Sequence, residues 1–275
     1  MNENTVVLFP EQGFVTKTMT HEQFNVQASY FQNDLAIFFA KRGSFKINKV
    51  QSYLYASGQN IEAKYDYVKE TPFEITRYLA NLLGEGMGKM HVISQCRNYS
   101  GKKKNEDYST MGDWTGVSAL FPNEYTRRFD IFCSMTKPIS NFMPKCMIHR
   151  DFKLQNILFD GMNYHLIDFD FAQHDYIGIE IGGMLVDLLA TSMQKAAEFL
   201  AGYLRANPYL YKDVVRDIPN SYLRYLCTNA FPFYLHDQIS KERFDSLAQD
   251  REWRLELLIK EYDQIKEMIE ELLDA

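Results

Sequence analysis

Two short stretches of the sequence carry residue types whose spacing suits phosphoryl-transfer chemistry. The first reads Met147-Ile148-His149-Arg150-Asp151-Phe152-Lys153-Leu154-Gln155-Asn156-Ile157-Leu158, and the second Leu166-Ile167-Asp168-Phe169-Asp170-Phe171. Asp151 is a carboxylate able to accept the proton of an attacking hydroxyl. Asn156, five residues on, offers a neutral oxygen to a metal, and Asp168 a charged one. Mg2+ takes hard oxygen ligands and keeps water or phosphate oxygens in its shell, so one amide plus one carboxylate meets its need.

These residues must be held by short, regular elements. The apolar runs 156–159 and 164–167, joined by Asp160-Gly161-Met162-Asn163, predict a hairpin that sets Asn156 and Asp168 on adjacent segments. Upstream, Val6–Phe9 and Phe14–Lys17 flank Pro10-Glu11-Gln12-Gly13 and predict another hairpin. A helix is expected over 21–41, with Phe24, Ala28, Phe31, Leu35, Phe38 and Phe39 at helical spacing and Gly43 beyond its end. Val50–Ser57 and Ile61–Tyr67 read as a further strand pair, so residues 1–68 give strand, strand, helix, strand, strand. Residues 69–73, with Pro72, read as a connector, and the rest is mostly helical. Helices are expected over 74–94, interrupted by Gly84, Gly86 and Gly88, and over 125–140, with a polar loop at 98–113 between them. Near the end, Leu255, Leu258, Ile259, Tyr262, Ile265, Met268, Ile269 and Leu272 form one stripe along a last helix.

Composition bounds the alternatives. At 275 residues, 46% hydrophobic and 24% charged, the chain suits one two-lobed globular unit. A net charge of −6 argues against a dedicated nucleic-acid or anionic-membrane binder. Cys96, Cys133, Cys146 and Cys227 have no metal-site spacing and read as free thiols. The start of the chain carries only the short apolar run Val6–Phe9, and no stretch reaches the roughly 20 apolar residues of a span. A soluble cytoplasmic protein is therefore expected, with no nucleic-acid or membrane partner.

The His149–Asn156 and Asp168 segments resemble the catalytic loop and metal aspartate of the protein-kinase-like superfamily. The rest of the chain resembles its small-molecule branch, the aminoglycoside phosphotransferases and choline kinases. In that branch the loop reads His-Gly-Asp-x-x-x-x-Asn after Leu-Pro, which Phe142-Met143-Pro144 resembles. Met87-Gly88-Lys89-Met90-His91 resembles the branch's Leu-His helix end, and Asp187-Leu188-Leu189-Ala190 its Asp-Leu-Ala. Gly112-Asp113-Trp114, with Arg127-Arg128, resembles spore-coat kinase-like proteins.

The resemblance implies an α+β bilobal fold: a small antiparallel β lobe with one helix (1–68), then a larger mainly helical catalytic lobe (69–275). It implies ATP and Mg2+ as cofactors, with Asn156 and Asp168 on the metal. It makes Asp151 the catalytic base and Lys153 a charge for the transferred phosphate, as in Ser/Thr protein kinases. Lys17 becomes the phosphate-binding lysine, partnered from the next helix by Glu22 or Gln27. Tyr65, Tyr67 and Val68 fall at the interlobe hinge, where backbone groups meet adenine. His91 and His149 are implied to be structural, and Asp187 to anchor the catalytic loop. The acceptor is implied to be a small hydroxylated molecule, and the acidic charge suits a cationic one.

Departures from the pattern keep two other readings open. No glycine-rich loop covers the phosphates, and the first strand of the small lobe is expected to be absent. That favours a non-catalytic kinase-like binding or structural protein. Arg150 and Lys153 favour a protein Ser/Thr kinase, although Asp168-Phe169-Asp170 replaces Asp-Phe-Gly and no Ala-Pro-Glu segment follows.

Overall fold

The computed structural model describes residues 5–20, 26–55, 60–97, 99, 137–229 and 241–274. The chain is α+β. Strand β1 (Thr5–Phe9) turns through Pro10–Gln12 into β2 (Phe14–Thr20), and Gly13 closes the turn at φ 73°, a left-handed conformation that suits glycine. Helix α1 (Val26–Phe39) follows, then β3 (Phe45–Ile47), β4 (Val50–Tyr55) and β5 (Asn60–Asp66). Strands β1, β2, β5 and β4 form one antiparallel sheet in that order. With β1 at its edge, the sheet contains no further strand among the described residues, in keeping with the shortened small lobe.

The connector after β5 leads to α2 (Arg77–Cys96), whose first turn is capped by Thr76 accepting from the Leu79 N–H at 3.1 Å. Strands β6 (Lys145–Ile148), β7 (Ile157–Phe159), β8 (Tyr164–Leu166) and β9 (Gln173–Tyr176) come next, then α3 (Ile177–Leu189), α4 (Met193–Ala206), α5 (Lys212–Arg216), α6 (Ile218–Asn229), α7 (Lys241–Lys260) and α8 (Tyr262–Asp274). Strands β7 and β8 make the expected hairpin. Sequence reading missed β3, β6 and β9. Strand β3 runs parallel to β8, tying the segment after α1 to the hairpin, and β6 pairs with β9. Each is only three or four residues long, too short to show a period.

The glycines of α2 do not interrupt it. A Cβ on Gly84 would stand 1.9 Å from the Phe199 carbonyl oxygen, and one on Gly202 would stand 2.2 Å from that of Asn81. These glycines let α2 and α4 pack backbone to backbone. The final stripe is divided between α7 and α8, which meet at Glu261 and still bury Leu255, Leu258, Ile265, Met268 and Ile269. The core is continuous from α1 (Phe31, Leu35) through α2 (Leu83, Met87) to α3 and α4 (Leu185, Phe199, Tyr203). Met19, Ile61 and Ala63 form a smaller cluster on the sheet. No described helix is long and apolar enough to cross a membrane. Cys96 and Cys146 are free thiols; the side chains of Cys133 and Cys227 lie outside the described residues. The expected loop at 98–113 lies outside them too, apart from Tyr99. So does the helix over 125–140 up to residue 136, and residues 137–140 are not helical.

Candidate active site

The loop between β6 and β7 is fixed from several sides. His149 is fully buried, and its Nε2 lies 2.9 Å from the Ile167 carbonyl. The Asp151 N–H donates to its Nδ1 at 3.2 Å. Only the tautomer with hydrogen on Nε2 satisfies both bonds. The ring stacks edge-on against Phe169 at 4.4 Å, locking the loop to the segment that carries Asp168. His149 is thus structural, as expected from the sequence.

Arg150 has a φ of 67°, at the position where the resembled loop has glycine. Its N–H donates to Oε1 of Glu180 at 2.5 Å. Glu180 sits in the first turn of α3, buried, and its Oε2 lies 2.7 Å from His91 Nε2. His91 Nδ1 lies 2.9 Å from the Tyr203 hydroxyl, which accepts from Asn207 at 3.3 Å. Glu180 therefore anchors the loop by a hydrogen bond, while Asp187, expected to do so, acts on it through the charge of Lys153. Asp187 lies two turns further along α3 and pairs with Arg254 at 2.6 Å. The sequence signal for Glu180 is an acid in the first turn of α3.

The hairpin sets Asn156 beside the Asp168 segment, the Ile167 N–H donating to the Asn156 carbonyl at 3.0 Å, and Asn156 also meets Asp151. Asn156 Nδ2 donates to the Asp151 carbonyl at 2.8 Å and to Asp151 Oδ2 at 2.9 Å. Both partners accept, so that atom is the amide nitrogen, and the amide oxygen remains an acceptor. Lys153 Nζ lies 2.9 Å from Asp151 Oδ2, with its side chain 40% exposed.

Lys17 comes from β2 to the same place. Its Nζ lies 2.8 Å from Asp168 Oδ1 and 2.5 Å from Asp170 Oδ2. Asp168 has a φ of 63° and opens the tight turn Phe169–Phe171, which brings both carboxylates to the lysine. Burial works against the Lys17 charge, but Asp170 and Asp168 outweigh it and raise its pKa. Burial also works against the Asp168 carboxylate, yet Lys17 holds it below the usual range. Asp170 shifts the other way, raised by burial and by the neighbouring Asp168. Burial pushes the Tyr65 phenol well up, with Asp170 adding to it, so this side chain stands close to the acids.

The other sequence candidates are more scattered. Tyr65 is the penultimate residue of β5. Tyr67 and Val68 open the connector, where the Tyr67 N–H donates to the Gly13 carbonyl at 3.0 Å. Gln27 lies half-buried in the first turn of α1. Glu22 lies outside the described residues, as do Gly112–Trp114, Arg127 and Arg128. No group of three or more His, Cys, Asp or Glu residues suited to a metal occurs among the described residues. The donor set that does exist, the Asp168 carboxylate and the Asn156 amide oxygen, fits Mg2+ shared with phosphate and water. Sequence reading missed Glu180 and gave Asp170 either a metal-assisting or a turn-capping role, not the pair with Lys17.

Comparison with known proteins agrees with this fold. Three solved structures share the fold along nearly the whole chain. One is an aminoglycoside 2′-phosphotransferase in complex with GDP, with 12% identity, a TM-score of 0.63, and coverage of 96% of this chain and 91% of that one. Another is a microcompartment-associated aminopropanol kinase, with 14% identity, a TM-score of 0.60, and coverage of 92% and 87%. The third is an amicoumacin kinase in complex with AMP-PNP and Ca2+, with 13% identity, a TM-score of 0.58, and coverage of 92% and 88%. No curated protein sequence matches the chain. A family model described as the phosphotransferase enzyme family matches residues 69–215, more than half of the chain, including α2, the Asp151 loop and Asp168. The chain belongs to the phosphotransferase enzyme family.

Proposed function

We propose that this protein is a kinase that uses ATP and Mg2+ to phosphorylate a hydroxyl of a small molecule. The observation that carries the reading is the meeting of Lys17 with Asp168 and Asp170, beside the Asp151–Asn156 pair. A cation from the strand lobe and acids from the helical lobe converge where phosphates and a metal would be held. The lobes divide near residue 68. Tyr67 is still bonded to the β1–β2 turn, whereas the Thr71 N–H already donates to Phe159 of β7 at 2.6 Å.

Lys17 binds the nucleotide phosphates, and Asp168 with the Asn156 amide oxygen would hold Mg2+. When bound, the metal neutralises phosphate charge as the bond to the leaving oxygen weakens. Asp151 accepts the proton of the acceptor hydroxyl and orients it for in-line attack. Lys153, a point charge on a half-exposed stem beside Asp151, follows the transferred phosphoryl group. Adenine sits against the connector. The Tyr67 N–H is already engaged with Gly13, so the adenine edge would meet the Tyr67 carbonyl and the Val68 N–H, with the Tyr65 side chain nearby. That two of the structural relatives were solved with a nucleotide bound supports nucleotide use.

The acceptor is a small hydroxylated compound of the amino alcohol, aminoglycoside or sugar kind. The names of the aminopropanol kinase and the aminoglycoside phosphotransferase support it, and the net charge of −6 favours a cationic acceptor. A protein acceptor is disfavoured because the chain runs from Asp168 through β9 directly into α3. That leaves no long segment against which a peptide would dock.

The test is thermal unfolding with and without Mg-ATP. Saturation at about 100 times Kd adds about 2.7 kcal/mol, which for a chain of this size raises Tm by roughly 5–10 °C. The shift should require magnesium and vanish in Asp168→Ala. No shift at millimolar Mg-ATP in folded protein would favour the non-catalytic scaffold.

A further inference from the structure

The resemblance assigns the phosphate-binding lysine a glutamate partner on the following helix, but the described first turn of α1 offers the neutral Gln27. An amide cannot balance an ammonium. Lys17 nonetheless sits with its side chain only 14% exposed, where an unbalanced charge is costly. Its charge is met instead from the turn after β8. The closer of the two acids is Asp170, at 2.5 Å, against 2.8 Å for Asp168.

The two acids differ in access. The Asp168 side chain is 34% exposed and faces the cleft, whereas Asp170 is 17% exposed and covered. An incoming ligand therefore reaches Asp168 first. The turn that carries both acids is pinned: Phe169, between them, is buried against His149 at 4.4 Å and against Phe31 of α1 at 6.1 Å. Asp170 is thus fixed in the core-facing part of the turn, independently of any ligand.

We infer that Asp170 is the standing counter-ion of Lys17, a positioning role that leaves Asp168 to the metal. The inference rests on the reading of the cleft as a Mg-nucleotide site. In the empty cleft both acids hold the lysine. When Asp168 is drawn to a metal, Asp170 keeps the ammonium in place and aimed at the phosphates. One short turn, Asp168-Phe169-Asp170, then supplies both the metal ligand and the lysine's partner. It also accounts for an acid at a position where Asp-Phe-Gly kinases carry no side chain.

Two arms test this. In metal-free and nucleotide-free protein, acetylation of individual lysines is followed by mass spectrometry. Asp170→Asn should speed modification of Lys17 about tenfold while Lys46 and Lys64 keep their rates, and Asp170→Glu, which keeps the charge, should leave Lys17 shielded. In turnover, Asp170→Asn should raise KM for ATP about tenfold with the Mg2+ requirement unchanged, whereas Asp168→Asn raises the Mg2+ requirement. Adding Gln27→Glu to Asp170→Asn should recover most of the lost KM. A raised Mg2+ requirement in Asp170→Asn without rescue by Gln27→Glu would make Asp170 a metal ligand and overturn the inference. A lowered Tm with unchanged Lys17 reactivity and KM would make it merely structural. If wild type bound no Mg-ATP, the functional reading would fail, and the acetylation arm would still decide the ion pair.

Discussion

Arg150 adopts a backbone conformation that suits glycine, yet it is an arginine with its side chain buried beside Asp175 and over the ring of Tyr225. Left-handed backbone costs a non-glycine residue about 1–2 kcal/mol. Removing one member of a buried ion pair costs about 3–5 kcal/mol. Packing outweighs strain, so Arg150→Gly should lose about 2 kcal/mol in urea unfolding, and adding Asp175→Asn should recover part of it. A stabilised Arg150→Gly would mean that the pair contributes nothing. Asp160 makes a contrasting case at the surface. Burial opposes its ionisation, but the Asn163 and Met162 N–H groups and His165 together outweigh it and hold its pKa below the usual range. A depressed carboxylate contributes stability that is fully present above its unfolded pKa near 3.8 and fades as pH falls below it. The Tm gap between wild type and Asp160→Asn should therefore be constant near neutrality and close below about pH 4. A gap that stays constant into acid would refute that account. At this scale the sequence was most readable. Asp151, Asn156 and Asp168 lie within 18 positions of one another, so a short motif makes all three visible. The partner of Lys17 was not readable, because it lies 153 residues away and is chosen by the turn after β8, not by spacing.

Elements are where pattern reading met its limits. The strands of the small lobe and the β7–β8 hairpin follow from β-prone runs around turn residues. The glycines of α2 were read as breaks because helix propensity penalises them by about 1 kcal/mol each. Their cause is tertiary: α4 approaches so closely that a side chain at Gly84 would collide with the Phe199 backbone. Backbone cannot rotate away as a flexible side chain can, so Gly84→Ala should separate the two helices. We expect a loss of about 3 kcal/mol, lowering Tm by roughly 6–12 °C, despite the better helix propensity of alanine. A neutral Gly84→Ala would mean that the helices are not packed this tightly. The consequence reaches the site, because His91 on α2 and Tyr203 on α4 form the buried chain that ends on Glu180 and the Arg150 N–H. Helix packing is thereby coupled to the geometry of the loop that carries Asp151.

For the whole molecule, the central claim is that the cleft performs transfer and not only binding. Lys17 on β2 and Asp168 after β8 meet across 151 residues of chain. Asp151 has no part in holding nucleotide on this account. The most direct measurement is transfer of the labelled γ-phosphate of ATP, with Mg2+, to a panel of small hydroxylated amines, aminoglycosides and sugars, by wild type and Asp151→Asn. The account predicts phosphorylated product with wild type and a rate lower by about 10²–10⁴-fold in the variant, whose Mg-ATP thermal shift stays intact. Equal rates in the two proteins, or Mg-ATP binding by wild type without transfer to any member of the panel, would contradict it.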